Sequence, residues 1–211
     1  MNFSNIKFSY ILFGLIGLLL IGEMSGCSYM SYPATQVFTS SHPTIHKVAI
    51  LPFNNLSKFP QGGDIFYKVF LADVVKNTNL NISQEGDVRA IYRQLEIFPG
   101  QQPSIEQMKI IASRLEVNYL IRGTILHMSE DRLRGGGINP EISVLLEVIN
   151  VKTGKVIWMT HCRRDGEHYR AFMHFGMVDN ITKLSDLVSQ EIIQQWISKE
   201  LIECTKNSQF L

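Results

Sequence analysis

Apolar positions follow three different patterns along this chain. Residues 11–21 form a continuous apolar run interrupted only by glycine, with Lys7 before it and Gly22-Glu23 after it. Residues 28–46 are rich in Ser, Thr and Pro and show no period, which predicts a tether. Tyr29, Tyr32 and Phe38 make it more aromatic than a passive linker needs, so part of it is expected to dock on a neighbour. Residues 47–53 then read as a buried strand closed by Pro52 and followed by a loop at Asn54-Asn55. Asp64 is the expected N-cap of a helix over 65–76, with Phe66, Val69, Phe70 and Val74 on one face. A brief strand over 80–83 precedes a helix over 87–95 carrying Val88, Ile91, Tyr92 and Leu95 at helical spacing. Pro99-Gly100 ends that helix. Ser104 with Gln107 forms a capping box for another, whose apolar face is Ile105, Met108, Ile111, Ala112 and Leu115.

From residue 117 the period becomes extended. Strands are predicted over 117–126 and 141–151, the latter alternating at Ile142, Val144, Leu146 and Val148. A turn at 152–155 returns the chain into a strand over 156–159. A last helix over 179–203 aligns Ile181, Leu184, Val188, Ile192 and Trp196 in one stripe. Separate strand–helix units followed by a strand meander predict the α/β class: a single sandwich on a mixed sheet with a long C-terminal helix.

The N-terminal run changes the picture from a fold to a compartment. It is about a dozen residues long, short of the roughly 20 that a spanning helix needs. A basic start, a short apolar core and small residues make a signal peptide. Ser25-Gly26-Cys27 closes it and resembles a bacterial lipoprotein signal, although Met24 stands where Leu is usual and Glu23 precedes it. The resemblance implies cleavage before Cys27 and two or three acyl chains on that residue. A single chain would hold a membrane only marginally. Because Ser28 and not Asp follows the cysteine, the outer membrane is the expected address. The implied organisation is a signal peptide over 1–26, a lipidated tether over 27–46, a periplasmic α/β domain over 47–204 and a tail over 205–211.

Composition adds three limits. A formal net charge of +1 gives no global reason to bind nucleic acid or an acidic polymer. With 45% apolar and 18% charged residues the chain is a globular sequence, not a disordered one. Besides Cys27 there are Cys162 and Cys204, a candidate disulfide in an oxidising compartment. Closing that loop would contribute about 4 kcal/mol in the chain-entropy description. Two separate thiols are the alternative.

Three stretches together resemble a known family: Val48-Ala49-Ile50-Leu51-Pro52-Phe53 with Asn54-Asn55, then 117–124, then 148–158 with its Thr153-Gly154 turn. They look like the bacterial envelope lipoproteins that include the curli-secretion lipoprotein, the penicillin-binding-protein activators, the Pel polysaccharide lipoprotein and the TolB N-terminal domain. The match spans about residues 47–203. It implies a three-layer, anticodon-binding-domain-like sandwich and a non-enzymatic adaptor or accessory in envelope assembly, polymer export or cell-wall enzyme regulation. Envelope proteins and further copies of the chain would be its partners. The curli branch inserts long alternating hairpins into a membrane. The corresponding places here, 129–140 and 160–178, are short or charged, so they are not expected to face lipid.

Candidate chemistry is sparse. Gly135-Gly136-Gly137 lies between strands and lacks the following helix and Lys of a phosphate loop. His161, Cys162, His168 and His174 match no short zinc spacing, so neither a metal nor a cofactor is expected. There is no Gly-x-Ser-x-Gly, Cys-x-x-Cys or His-Glu-x-x-His, which leaves no residue to assign to catalysis. Arg163, Arg164 and Arg170 form a local basic cluster, and Phe172 and Phe175 an apolar one. These five are the candidate partner contacts. A small-ligand-binding protein or a hydrolase is the competing class.

Overall fold

The computed structural model describes residues 36–39, 45–132, 136–170 and 176–204. Seven strands form one sheet: β1 (Gln36–Thr39), β2 (Lys47–Ile50), β3 (Asn54–Asn55), β4 (Asn81–Ile82), β5 (Tyr119–Arg132), β6 (Ile138–Asn150) and β7 (Lys155–Asp165). Among the described residues four α-helices accompany them: α1 (Gly62–Asn77), α2 (Glu85–Gln94), α3 (Ile105–Leu115) and α4 (Ile181–Ser198). The order across the sheet is β1-β7-β6-β5-β2-β4, with β3 also on β5. β2, β3 and β4 run parallel to their neighbours, and β5-β6-β7 form an antiparallel meander. The expected mixed-sheet α/β sandwich is therefore present.

The alternation of β2 explains the three layers. Val48 and Ile50 join the core under α1 and α4, whereas Ala49 and Leu51 join a second core under α2 and α3. A strand buried on both faces reads as an unbroken apolar run. Pro52, which has no N–H, coincides with the interruption of the ladder. Pairing resumes at Asn54-Asn55 against Thr124 and Ile125, so the expected loop is a short strand.

Several boundaries differ from expectation for local reasons. α1 starts at Gly62, not after Asp64, and no side chain caps it. A Cβ on Gly62 would stand 2.9 Å from Met128 Sδ, so glycine lets the helix begin close against β5. Asp64 then sits in the first turn, where a carboxylate suits the helix dipole. The Ser104–Gln107 capping box forms as read. α4 is shorter than expected. Asn180 Oδ1 accepts from the N–H groups of Thr182 and Lys183, and Glu130 Oε1 accepts from that of Ile181. At the other end the chain leaves the helix through Glu200 at φ +59°, with Leu201 N–H returning to Trp196 O at 3.0 Å.

The meander strands are longer than their apolar cores. A bulge between Ile125 and His127 resets the alternation of β5, so that Ile125 and Met128 face the same core. Beyond it Glu130, Asp131 and Arg132 continue to pair with β6. β7 likewise runs through Arg163, Arg164 and Asp165. Part of the expected tether is also strand: Gln36–Thr39 pairs antiparallel with residues 158–161 and forms the edge of the sheet. The docking expected of that segment is thus onto its own domain.

Candidate functional site

Among the described residues, the helices leave one region of the sheet without a helix above it. α2 and α3 pack over β2, Leu120 and Ile149. Further across the same face, on β5, β6 and β7, no helix lies above the strands among the described residues. Cross-strand register places polar groups there in rows. Arg122 Nε donates to Glu147 Oε2 at 2.8 Å. Ser143 Oγ and His161 Nε2 are 2.9 Å apart. Glu141 is paired with Arg163 and lies 3.7 Å from His127 Nε2. Leu126, 40% exposed, stands at the bulge. Opposite charges thus stand in adjacent rows on this face, which carries no broad field of one sign.

Of the predicted contact residues, the three that are described, Arg163, Arg164 and Arg170, do not share this face. Arg163 is on this face, but Arg164, the next residue of a strand, points to the other. There it is nearly buried, donating to Glu191 of α4 at 2.9 Å. Tyr169, on the turn Gly166–Tyr169, donates its hydroxyl to the other oxygen of Glu191. Burial, then the hydrogen bond to Glu191, pushes the Tyr169 phenol above its ordinary value. Arg164 is therefore a link between β7 and α4, and the basic cluster read from the sequence is divided. Arg170 lies 3.9 Å from Glu167 at the end of that turn. Phe172, Phe175 and Cys27 lie outside the described residues, as does His174. His161 and Cys162 face opposite sides of β7, so these two do not converge. Cys162 and Cys204 are not bonded to each other: Cys162 is buried in mid-β7, and Cys204 bridges Thr78 beyond the end of α4.

A second feature was not read from the sequence. A cleft of about 480 Å³ opens at the carboxyl end of β2, beside the N-terminus of α1 and against α2. Phe53 forms part of its wall, packed on Gly123 so closely that a Cβ there would be 2.5 Å from the ring. Phe53 also meets Tyr67 edge-on at 5.4 Å, and burial pushes the Tyr67 phenol up to about 12. Arg89 donates to Glu85 at 2.7 Å and lies 3.7 Å from Asp64. Burial opposes ionisation of Glu85, but hydrogen bonds from Lys68 and Arg89 hold its carboxyl below the usual range. Residues from the segment after β2, from β3, α1 and α2, and from the loop after α2 build the cleft, so no short motif announces it.

Three layers around a sheet that is parallel on one side and a meander on the other define the class of domain. No protein-family model matches the chain, and no curated protein matches it by sequence. Solved structures do match in fold. The PelC dodecamer from Paraburkholderia phytofirmans superposes with a TM-score of 0.51 at 16% identity, covering 75% of this chain and 95% of that one. Lipoprotein GNA1162 from Neisseria meningitidis gives 0.51 at 9% identity, covering 72% and 99%. The LpoB C-terminal domain from Salmonella enterica gives 0.47 at 11% identity, covering 60% and 87%. The likeness to envelope lipoproteins read from three strand segments is present as a likeness of fold.

Proposed function

We propose that this chain is a non-enzymatic lipoprotein, held by acyl chains on Cys27 to the periplasmic face of the outer membrane. It acts as an adaptor or accessory in envelope assembly, polymer export or regulation of a wall-building enzyme. The observation that carries this reading is the pairing of the Ser25-Gly26-Cys27 signal with a domain that has the fold of a solved lipoprotein. The uncovered face of β5–β7 supports it, because ordered rows of opposite charges suit contact with another protein. Export accessories that assemble as rings need self-contact, and the mixed charges of that face are compatible with a second copy of the chain.

The mass in solution of the domain from Ser28 onward, measured by light scattering, tests the accessory role. A closed ring of many copies supports export assembly, and a monomer supports regulation of a partner enzyme. Turnover of a substrate by the purified domain would contradict the adaptor reading. A ligand-binding role is the second reading, favoured by the cleft at the end of β2.

A further inference from the structure

The first two strands of the chain are neighbours in sequence but lie four places apart in the order β1-β7-β6-β5-β2-β4. Cross-strand register aligns Thr39, Trp158, Val148, Ile121 and Ile50 in one row across those strands. At the usual strand spacing that row is about 19 Å long. Ile45, whose N–H donates to Leu201 O at 3.2 Å, stands five residues before Ile50. Along the line of β2 that places it about 16 Å back from the row. Across a flat sheet the direct path from Thr39 to Ile45 is therefore about 25 Å. The six Cα steps between them reach at most about 22 Å. β1 thus closes onto its own β7 only where curvature of the sheet shortens the path, and that leaves no slack.

The strand that receives β1 offers more edge than β1 uses. β1 pairs with residues 158–161, whereas β7 extends over Lys155–Asp165. On that side the rest of β7 meets no strand among the described residues. Such an edge is a template for a strand from another chain. The strand that already fits it is β1, and every copy of the protein carries both the strand and the edge. The contact made within one chain can therefore be made between two with no new chemistry, which is the condition for exchanging an element between protomers. A connection too short for comfortable closure shifts the balance toward exchange.

We propose that β1 is an exchanged arm: Gln36–Thr39 of one copy pairs with β7 of a second copy, in the register seen here within one chain. The occupant of the β7 edge in the assembly is then a second copy of this protein. Reciprocal exchange gives a dimer, and exchange passed on around a circle gives a closed ring. The proposal deepens the accessory reading, on which it rests for the presence of further copies, by stating how they join. Its failure would leave an anchored single chain that acts on a partner enzyme, and membrane partition of Cys27→Ala tests that reading separately.

Full-length Phe38→Cys/Met159→Cys protein tests the exchange, because these two positions are register partners. Directly opposed residues of an antiparallel pair stand close enough to be bridged by oxidation or by a short bis-maleimide. Unlabelled and heavy-isotope-labelled protein are mixed unfolded in urea, refolded together in detergent and bridged. Mass spectrometry then counts the linked peptides that join a labelled chain to an unlabelled one. Exchange makes such hybrids about half of all linked peptides, and closure within one chain makes none. Light scattering, which needs no refolding, should give the wild type in detergent a protein mass of at least two chains. An insertion of about six Gly/Ser residues after Ser41 adds about 20 Å of reach. That variant should close on itself and fall to the mass of one chain. Linked peptides without hybrids, no linkage at all, a wild-type mass of one chain, or an insertion variant as heavy as the wild type would each overturn the proposal.

Discussion

The indole N–H of Trp196 on α4 donates to Thr160 Oγ1 on β7 at 2.9 Å, deep in the larger core. The indole of Trp158 donates to the same oxygen at 3.0 Å. One hydroxyl thus serves two large aromatic side chains, both fully buried, and ties the C-terminal helix to the meander. Thr160→Val keeps the shape and removes the acceptor. Each orphaned N–H costs roughly 1–3 kcal/mol, so urea unfolding should show a loss of at least about 2 kcal/mol. Thr160→Ser should lose less than half as much. Equal stability of the Val variant and the wild type would mean that the two indoles find other acceptors.

The close approach of Phe53 to Gly123 gives a paired test. Gly123→Ala forces a methyl into the ring and should cost about 1–3 kcal/mol by overpacking. Phe53→Leu makes room but loses aromatic contacts with Tyr67 and Phe70 at 5.4 and 5.8 Å. The double variant should then be more stable than the sum of the two losses. Strict additivity in thermal unfolding would show that the two residues do not meet.

Arg164 and Glu191 predict an asymmetry. Glu191→Leu leaves the nearly buried Arg164 without its counter-charge and should cost about 3 kcal/mol, whereas Arg164→Leu leaves the partly exposed Glu191, still hydrogen-bonded by Tyr169, and should cost less. The double Leu variant should recover most of that loss, because desolvation of both charges disappears with them. A double variant as unstable as the singles would instead show that the pair is worth more than an apolar contact.

Asp73 gives a pH prediction. It is 6% exposed on α1, and its Oδ2 has no hydrogen-bond partner among the described residues. Burial, reinforced by Asp186, raises its pKa above the ordinary carboxylate value, against the pull of the nearby Ser189 hydroxyl and of Lys76 and Lys183. A raised folded-state pKa means that stability is fully present below the unfolded value and is lost as pH rises through the folded one. Asp73→Asn should therefore stabilise the protein at pH 7 and lose that advantage at pH 3, where both side chains are neutral. A destabilised Asn variant at pH 7 would contradict the sign.

The elements legible in the sequence were those whose period belongs to burial. β2, the apolar centres of β5 and β6, and the α4 stripe were read because Val48, Ile142 and Leu184 each repeat on a buried face. The Ser104–Gln107 cap was read because its side chains carry the signal themselves. The outer reaches of β5 and β7 were missed. Glu130, Arg163 and Arg164 are polar, and hydrogen bonding to the neighbouring strand, not hydrophobicity, keeps them extended. Arg163 and Arg164 are neighbours in sequence, but the two-residue period of β7 puts them on opposite faces. β1 was hidden for the same reason, since Gln36-Val37-Phe38-Thr39 inside a Ser/Thr-rich stretch has no pattern to mark it. The cleft needed the fold itself, because Phe53, Gly63 and Arg93 meet only after three elements pack.

The most direct test of the proposed function is membrane partition of the full-length chain with and without Cys27, combined with the mass of its N-terminal peptide. The account predicts that the mature chain begins at Cys27, carries acyl chains there, and moves to the soluble fraction on Cys27→Ala. Retention of the Cys27→Ala variant in membranes, or an unmodified N-terminus upstream of residue 27 in the wild type, would contradict it.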